Sequence, residues 1–158
     1  MIRVGYGFDI HRLVEGLPLK IGGVKIHYHK GLLGHSDADV LLHAIIDALI
    51  GAVALGDIGK YFPDYDDDYK DLDSRIMLRK IIKKIKNDLG YQVGNIDATI
   101  VMEKPKLRDY IDLMRVNVAD DLEVDVDQIN IKAKTNEQVG AIGKSEAVEC
   151  HVVVLLQK

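Results

Sequence analysis

The run Val40–Leu55 sets the terms for the rest of the chain. Val40, Leu41, Leu42, Ala44, Ile45, Ile46, Leu49 and Ile50 would leave a helix without a polar face, and only His43, Asp47 and Gly51 interrupt it. A helix that is apolar all round has to be covered on every side, by its own domain or by a partner subunit. The interruptions keep the run from reading as a bilayer-spanning segment. At 158 residues, 47% of them hydrophobic, the chain can enclose such a helix in one domain without covalent staples.

The remaining elements follow from periodicity and punctuation. Ile2–His11 alternates as a strand, and Leu19–Ile26, broken by Gly22-Gly23, suggests a hairpin. Ser36 followed by Asp39 resembles a capping box, so the buried helix is expected from Asp37 to about Ala54 with Ser36 as its cap. Asp73 or Ser74 caps a second helix that Gly90 stops, with Ile76, Leu78, Ile81, Ile82 and Ile85 inward. Its lysines, Lys80, Lys83, Lys84 and Lys86, make a solvated face. Asn95–Met102 is a strand, Pro105 stands where helices favour proline, and Lys106–Leu122 follows as a third helix. Gln128–Lys134 and the valine-rich Ala147–Leu156 are strands separated by the glycine-bearing turn Thr135–Gly143. The order predicts one α/β (α+β) domain over residues 1–158: a mixed sheet with helices on one face.

A net charge of −4 excludes non-specific nucleic-acid binding, which relies on a basic face. The single cysteine, Cys150, excludes an internal disulfide and reads as a core residue. Met1–Asp9 is already strand-like, so a secretory leader is not expected and the protein should work in the cytoplasm. The acidic stretch Asp64–Asp73 reads as a mobile surface loop.

Chemistry concentrates in the first third. Asp9 and His11, two apart on a strand, leave the same face, and His43 sits in the apolar helix. One carboxylate and two imidazoles fill three of zinc's four positions and leave one open. The D-x-H pair alone better suits chance or a hydrogen-bonded histidine, and it is His43 that brings the metal reading level with it. Gly34-His35-Ser36, just before a helix start, offers N–H groups and a hydroxyl to an anion, or Ser36 simply caps. Asp57, between Gly56 and Gly59, suits a sugar diol or an ordinary exit loop. Met102–Leu107 joins strand to helix as base- and phosphate-binding turns do, and Thr135 and Glu137 end a strand where a phosphate and a hard cation could sit.

Together these motifs resemble the 2-C-methyl-D-erythritol 2,4-cyclodiphosphate synthase family of the non-mevalonate isoprenoid pathway. G-x-G-F-D-x-H stands at Gly5–His11, G-L-L-x-H-S-D-x-D-V-x-x-H-A at Gly31–Ala44, and A-L-G-D-I-G-x-x-F-P-D at Ala54–Asp64. D-S-R, P-K and K-A-x-T-x-E follow at Asp73–Arg75, Pro105-Lys106 and Lys132–Glu137. The resemblance implies a homotrimer whose sheets surround a threefold axis, with an active site at each subunit interface. It implies a lyase-type reaction: the 2-phosphate of a cytidine diphosphate methylerythritol 2-phosphate attacks the β-phosphorus and expels CMP.

Carried over, Asp9, His11 and His43 hold zinc, and Glu137 holds magnesium or manganese. His35 and Thr135 stabilise the transition state, and Ser36 holds the 2-phosphate end. Asp57, Ile58 and Gly59 meet the ribose. Phe62, Pro63, Asp64, Tyr65 and Asp66 form a loop that closes on the erythritol. Met102, Glu103, Lys104, Pro105, Lys106, Leu107 and Arg108 form the cytidine pocket, with Lys134 and Asn136 flanking Thr135. Ala141 and Lys144 depart from the family's bulky aromatic and arginine near the axial cavity, where an isoprenoid diphosphate would bind. A zinc phosphohydrolase and a non-catalytic trimer with structural zinc are the competing expectations. The first would need a base beside the metal other than His35, the second a fourth protein ligand.

Overall fold

A computed structural model describes residues 1–158. The chain runs β1 (Ile2–Glu15), β2 (Leu19–Ile21), β3 (Val24–Ile26), β4 (Lys30–Leu33), α1 (Val40–Ala52) and α2 (Ile58–Tyr61). It continues through α3 (Ser74–Leu89), β5 (Gln92–Val101), α4 (Ile111–Leu122), β6 (Ile129–Lys134), α5 (Gly140–Gly143) and β7 (Ala147–Gln157). Five strands form a mixed sheet in the order β4-β1-β7-β5-β6, in which only β5 and β6 are parallel. β2 and β3 make the expected hairpin. Gly22 and Gly23 turn it with φ of 60° and 73°, a pair of left-handed residues that suits a tight hairpin.

The apolar helix is enclosed by its own domain. α1 lies between β1 and β7 on one side and α3 on the other, and all but His43, Asp47 and Gly51 of its residues are buried. The approach to β1 is close because that strand carries glycine where it passes the helix. A Cβ on Gly7 would stand 1.9 Å from the Ala44 carbonyl oxygen, and one on Gly5 would stand 1.9 Å from that of Ala48. Alternation then puts Asp9 and His11 on the same, helix-facing side of β1 as these two glycines. The opposite side of the sheet is uncovered and apolar: Ile2, Val4, Tyr6, Phe8, Ile10 and Val153 are all exposed, Val4 to 65%.

Four expectations need correcting. Ser36 does not cap α1; Asp39 does, its carboxylate accepting from the Leu42 N–H at 3.1 Å, so the helix starts at Val40 rather than Asp37. Both residue types cap helices, and the choice is tertiary. Asp39 also accepts from Gly22 N and Gly23 N at 2.9 and 2.8 Å, which ties the hairpin to the helix start. Pro105 is not the first residue of a helix. Leu107 turns into the core and a 3-10 turn, Arg108–Tyr110, precedes α4, which begins only at Ile111. In α3, capped by Asp73 and closed by Gly90 at φ 73°, Ile76 is 48% exposed and Met77 takes the inward place. Finally, the acidic segment is partly structured, with a 3-10 turn at Asp67–Tyr69 and Tyr69 edge-on to the buried Phe62. Cys150 is fully buried, and burial pushes its thiol far up, as expected of a core residue.

Candidate functional site

In the second half of β1, with His43 from α1, three side chains converge. His11 Nε2 lies 2.8 Å from Asp9 Oδ2 and 3.1 Å from His43 Nδ1, and His43 Nδ1 lies 3.1 Å from the same Asp9 oxygen. The outer bonds of the rings fix which atoms face inward. His11 Nδ1 sits 2.8 Å from the Leu33 carbonyl, an acceptor only, so Nδ1 carries the proton and Nε2 presents a lone pair. His43 Nε2 faces the hydroxyls of Ser36 and Ser74 at 3.0 and 2.9 Å, and its Nδ1 points toward the centre. Two imidazole lone pairs and a carboxylate oxygen about 3 Å apart repel one another unless a cation lies between them. The donor set therefore fits a divalent metal ion. Burial would raise the Asp9 carboxyl, yet the two imidazoles beside it hold it down at about 2. Burial would lower His11, but Asp9 outweighs it and raises it.

His35 and Ser36 border this cluster. His35 Nε2 donates to the Asp66 carbonyl at 2.9 Å, and the His35 carbonyl accepts from Asp71 N at 2.9 Å, so the loop before α1 is strapped to the acidic segment. At the α1 N-terminus itself, the Asp39 carboxylate already accepts from the Leu42 N–H. Burial, with Asp37 beside it, raises that carboxyl to about 6 even though three backbone N–H groups bond to it. Asp57 caps the short α2 through Lys60 N at 3.1 Å, and Ile58 N donates to Asp47 Oδ1 at 2.8 Å, one turn along α1 from His43. Gly59, Asp64 and Tyr65 are exposed and Pro63 is half-buried, whereas Phe62 is buried.

The second group of predicted residues lies apart from the first. The sheet register aligns Ile10 with Glu149, Glu149 with Val101, and Val101 with Lys134. Residues that follow Val101 and Lys134 are thus at the same end of the sheet as Asp9 and His11, but two and three strands away, about 10 and 14 Å. Lys104, Lys106, Arg108, Lys134, Thr135 and Glu137 are exposed there, while the Met102 and Leu107 side chains point into the core. Those two residues, like Phe62, have only backbone groups to offer a ligand. Glu103 has another occupation: its carboxylate accepts from Asn136 N at 2.9 Å and Gln138 N at 3.3 Å. Glu137 and Gln138 there have φ of 50° and 61°. Glu137 is not among the converging ligands within this chain. Ala141 lines a cleft of about 490 Å³ with Ile10, Arg12, Leu13, Glu146 and Ala147, and Lys144 is exposed beyond α5.

Sequence reasoning missed two residues that touch or support the cluster, Asp37 and Ser74. Ser74 donates from its hydroxyl to Asp37, which also pairs with Lys20 Nζ at 3.2 Å. Asp37 read only as the start of the buried helix and Ser74 as a possible helix cap, and their contact spans 37 positions.

Fold and site define the class: a two-layer α/β domain with an Asp-His-His cluster, able to hold a metal ion, on a mixed sheet. The chain belongs to the YgbB family, which it matches over residues 2–157. It is 56% identical over 158 residues to a 2-C-methyl-D-erythritol 2,4-cyclodiphosphate synthase from Actinobacillus succinogenes, covering 100% of this chain and 99% of the relative. Among solved structures it is similar to the CDP complex of IspF from Plasmodium falciparum, with a TM-score of 0.85, 36% identity, and 98% and 95% of the two chains covered. It is also similar to the bifunctional IspDF from Campylobacter jejuni, with a TM-score of 0.94 and 40% identity over 99% of this chain, which spans 42% of that longer one. No helix is long and apolar enough to cross a membrane.

Proposed function

We propose that the protein converts 4-diphosphocytidyl-2-C-methyl-D-erythritol 2-phosphate into 2-C-methyl-D-erythritol 2,4-cyclodiphosphate and CMP, in isoprenoid precursor biosynthesis in the cytoplasm. The convergence of Asp9, His11 and His43 carries this reading, in a chain whose relatives bear the synthase name. An oxygen of the 2-phosphate bonds to the β-phosphorus while the bond from that phosphorus to the bridging oxygen breaks, and CMP leaves with the bridging oxygen. Asp9, His11 and His43 would hold zinc and Glu137 magnesium or manganese, and the two cations would supply positive charge that orients and neutralises the diphosphate. In an enzyme of net charge −4, the basic side chains at the site would need such cations beside them to balance so anionic a substrate.

The chain's own part is positioning. Ser36 and His35 border the metal ligands and hold the 2-phosphate end, where His35 stabilises developing charge with Thr135. Asp57 with Ile58 and Gly59 accepts the ribose hydroxyls, and Met102–Arg108 encloses the cytosine while Lys106 faces phosphate. The segment Phe62–Asp66 lies over the erythritol, with Lys134 and Asn136 framing Thr135. Bringing nucleophile and phosphorus into line within one bound substrate accounts for most of the rate.

The bare apolar face of the sheet supports a homotrimer, since a face that includes Val4, Tyr6 and Phe8 asks for cover. The separation of about 10 to 14 Å between the two groups of residues supports a site completed at a subunit interface. An isoprenoid diphosphate in the axial cavity would meet Ala141 and Lys144, and the lysine offers it charge without the bidentate fork of an arginine.

The test is phosphorus NMR of the purified protein with this substrate, with and without chelator. Cyclic diphosphate formed with CMP, lost on chelation and restored by zinc plus magnesium, is the expected result. Inorganic phosphate or a linear product would overturn the reading in favour of hydrolysis, and no turnover from zinc-loaded protein would leave a binding module.

A further inference from the structure

Beneath the cluster lies a chain of side chains with no part in binding substrate. His43 Nε2 is 2.9 Å from Ser74 Oγ, and the Ser74 hydroxyl donates to Asp37 Oδ1. Ser74 N donates to Asp37 Oδ2 at 3.0 Å, and Lys20 Nζ lies 3.2 Å from Asp37 and 3.4 Å from Asp73. Ser74 is fully buried.

The proton assignments along this chain are forced. An ionised carboxylate only accepts, so the Ser74 hydroxyl proton is committed to Asp37. What Ser74 Oγ has left toward the ring is a lone pair, and it must receive the proton on His43 Nε2. The neutral ring then has no proton on Nδ1, the nitrogen that faces Asp9 and His11. Ser36 Oγ, 3.0 Å from the same Nε2, does not force the choice, because its hydroxyl is free to give or to accept. A hydrogen-bond partner on the far nitrogen commonly fixes the tautomer and aim of a metal-binding imidazole. Here a serine passes that control from a carboxylate one residue further away.

We propose that Ser74 and Asp37 are positioning residues: acting in series, they hold His43 in the tautomer that presents a bare Nδ1 to a divalent cation. The proposal rests on the metal-site reading above but not on the reaction. Ser74 is also well placed to do this without serving α3, because the helix is capped by Asp73, whose side chain accepts from Arg75 N at 2.9 Å.

The experiment is zinc affinity of metal-stripped protein, measured by chelator competition, alongside the melting temperature of the stripped form. Ser74→Ala and Asp37→Asn should each weaken zinc binding about 10- to 100-fold while the stripped protein keeps its fold. Because they act in series, the double variant should bind no more weakly than Ser74→Ala alone within about twofold. Unchanged affinity in a folded single variant, or losses that add in the double, would overturn the proposal. Should Ser74→Ala fail to fold, Asp37→Asn decides by the same criterion, since its remaining oxygen can still accept from Ser74 N. A wild-type protein that binds no zinc would overturn this proposal and the metal-site reading together. Zinc bound by wild type and variants alike would sink the relay only.

Discussion

The two groups of site residues are built by different means. Asp9, His11 and His43 sit where a strand and a helix press together, with ring orientations set by Leu33, Ser36 and Ser74. Thr135 and Glu137 sit on an exposed turn in left-handed backbone conformation at Glu137 and Gln138, held by the single carboxylate of Glu103. The first group is complete within one chain and rigid by packing. The second is presented outward and gains its meaning from what it meets. Donors that share one cation need to be fixed to within a fraction of an ångström.

The sharpest way to break that contrast is His43→Ala. It removes one of three converging donors, and turnover should fall by on the order of 10³-fold or more, together with bound zinc. Circular dichroism should be unchanged. Full turnover in a variant with no zinc would remove the metal assignment. Next in size is Gly7→Ala, which tests whether packing makes the first group rigid. The new Cβ would meet the Ala44 carbonyl oxygen, which belongs to helix backbone and cannot step aside. A loss of roughly 3 kcal/mol of unfolding free energy is expected, with weakened metal binding because α1 carries His43. Gly16→Ala is the control: a Cβ there meets nothing within 4 Å, and only its φ of 79° resists, at about 1 kcal/mol.

Asp39 gives the contrast a pH signature. Burial raises its folded carboxyl to about 6, above the unfolded value, so the neutral acid is the form the fold favours. Its contribution is fully present below about pH 4 and is lost as pH rises through about 6, to the extent of some 2–3 kcal/mol. Asp39→Asn cannot ionise, so urea unfolding should show its deficit against wild type shrinking over that window. A constant deficit from pH 4 to 7 would mean that the three N–H donors, rather than burial, rule this carboxylate. In the second group, Glu137→Ala should raise the magnesium or manganese needed for half-maximal turnover by about tenfold and leave zinc content alone. An unchanged metal titration would argue against Glu137 as a ligand.

Much of this was legible because local rules happened to agree with the tertiary outcome. Period-two alternation puts Asp9 and His11 on one face wherever β1 lies, Gly22-Gly23 can only turn, and Gly90 ends α3 by its left-handed φ. Where two local rules compete, the sequence is silent. Ser36 and Asp39 both cap helices, and the Gly22 and Gly23 N–H groups decide for Asp39 from 17 and 16 positions away. Ile76 and Met77 are adjacent in α3, and the packing of that helix into the core selects Met77. The Ser74–His43 contact joins residues 31 apart whose types each have an ordinary local use. The role of Gly5 and Gly7 was hidden for the same reason: nothing in a strand pattern says that a helix carbonyl will lie against it.

Glu103 gives the smallest effect and the finest test. Read with its neighbours in sequence, it belongs to a nucleotide pocket, but its two contacts are to the backbone of the 135–138 turn. The N–H groups of Asn136 and Gln138 converge on one anion position, and the protein's own carboxylate fills it. Glu103→Gln keeps one acceptor oxygen and turns a donor toward the other N–H, so one bond is lost and the turn loosens at a cost of about 1 kcal/mol. If Glu103 only holds the turn, KM for the cytidine substrate should rise several-fold while kcat, zinc affinity and the chelator response of the first group stay put. If kcat falls with KM unchanged, Glu103 acts on the reacting atoms, and the two groups are more tightly joined in the working enzyme than their separation in one chain suggests.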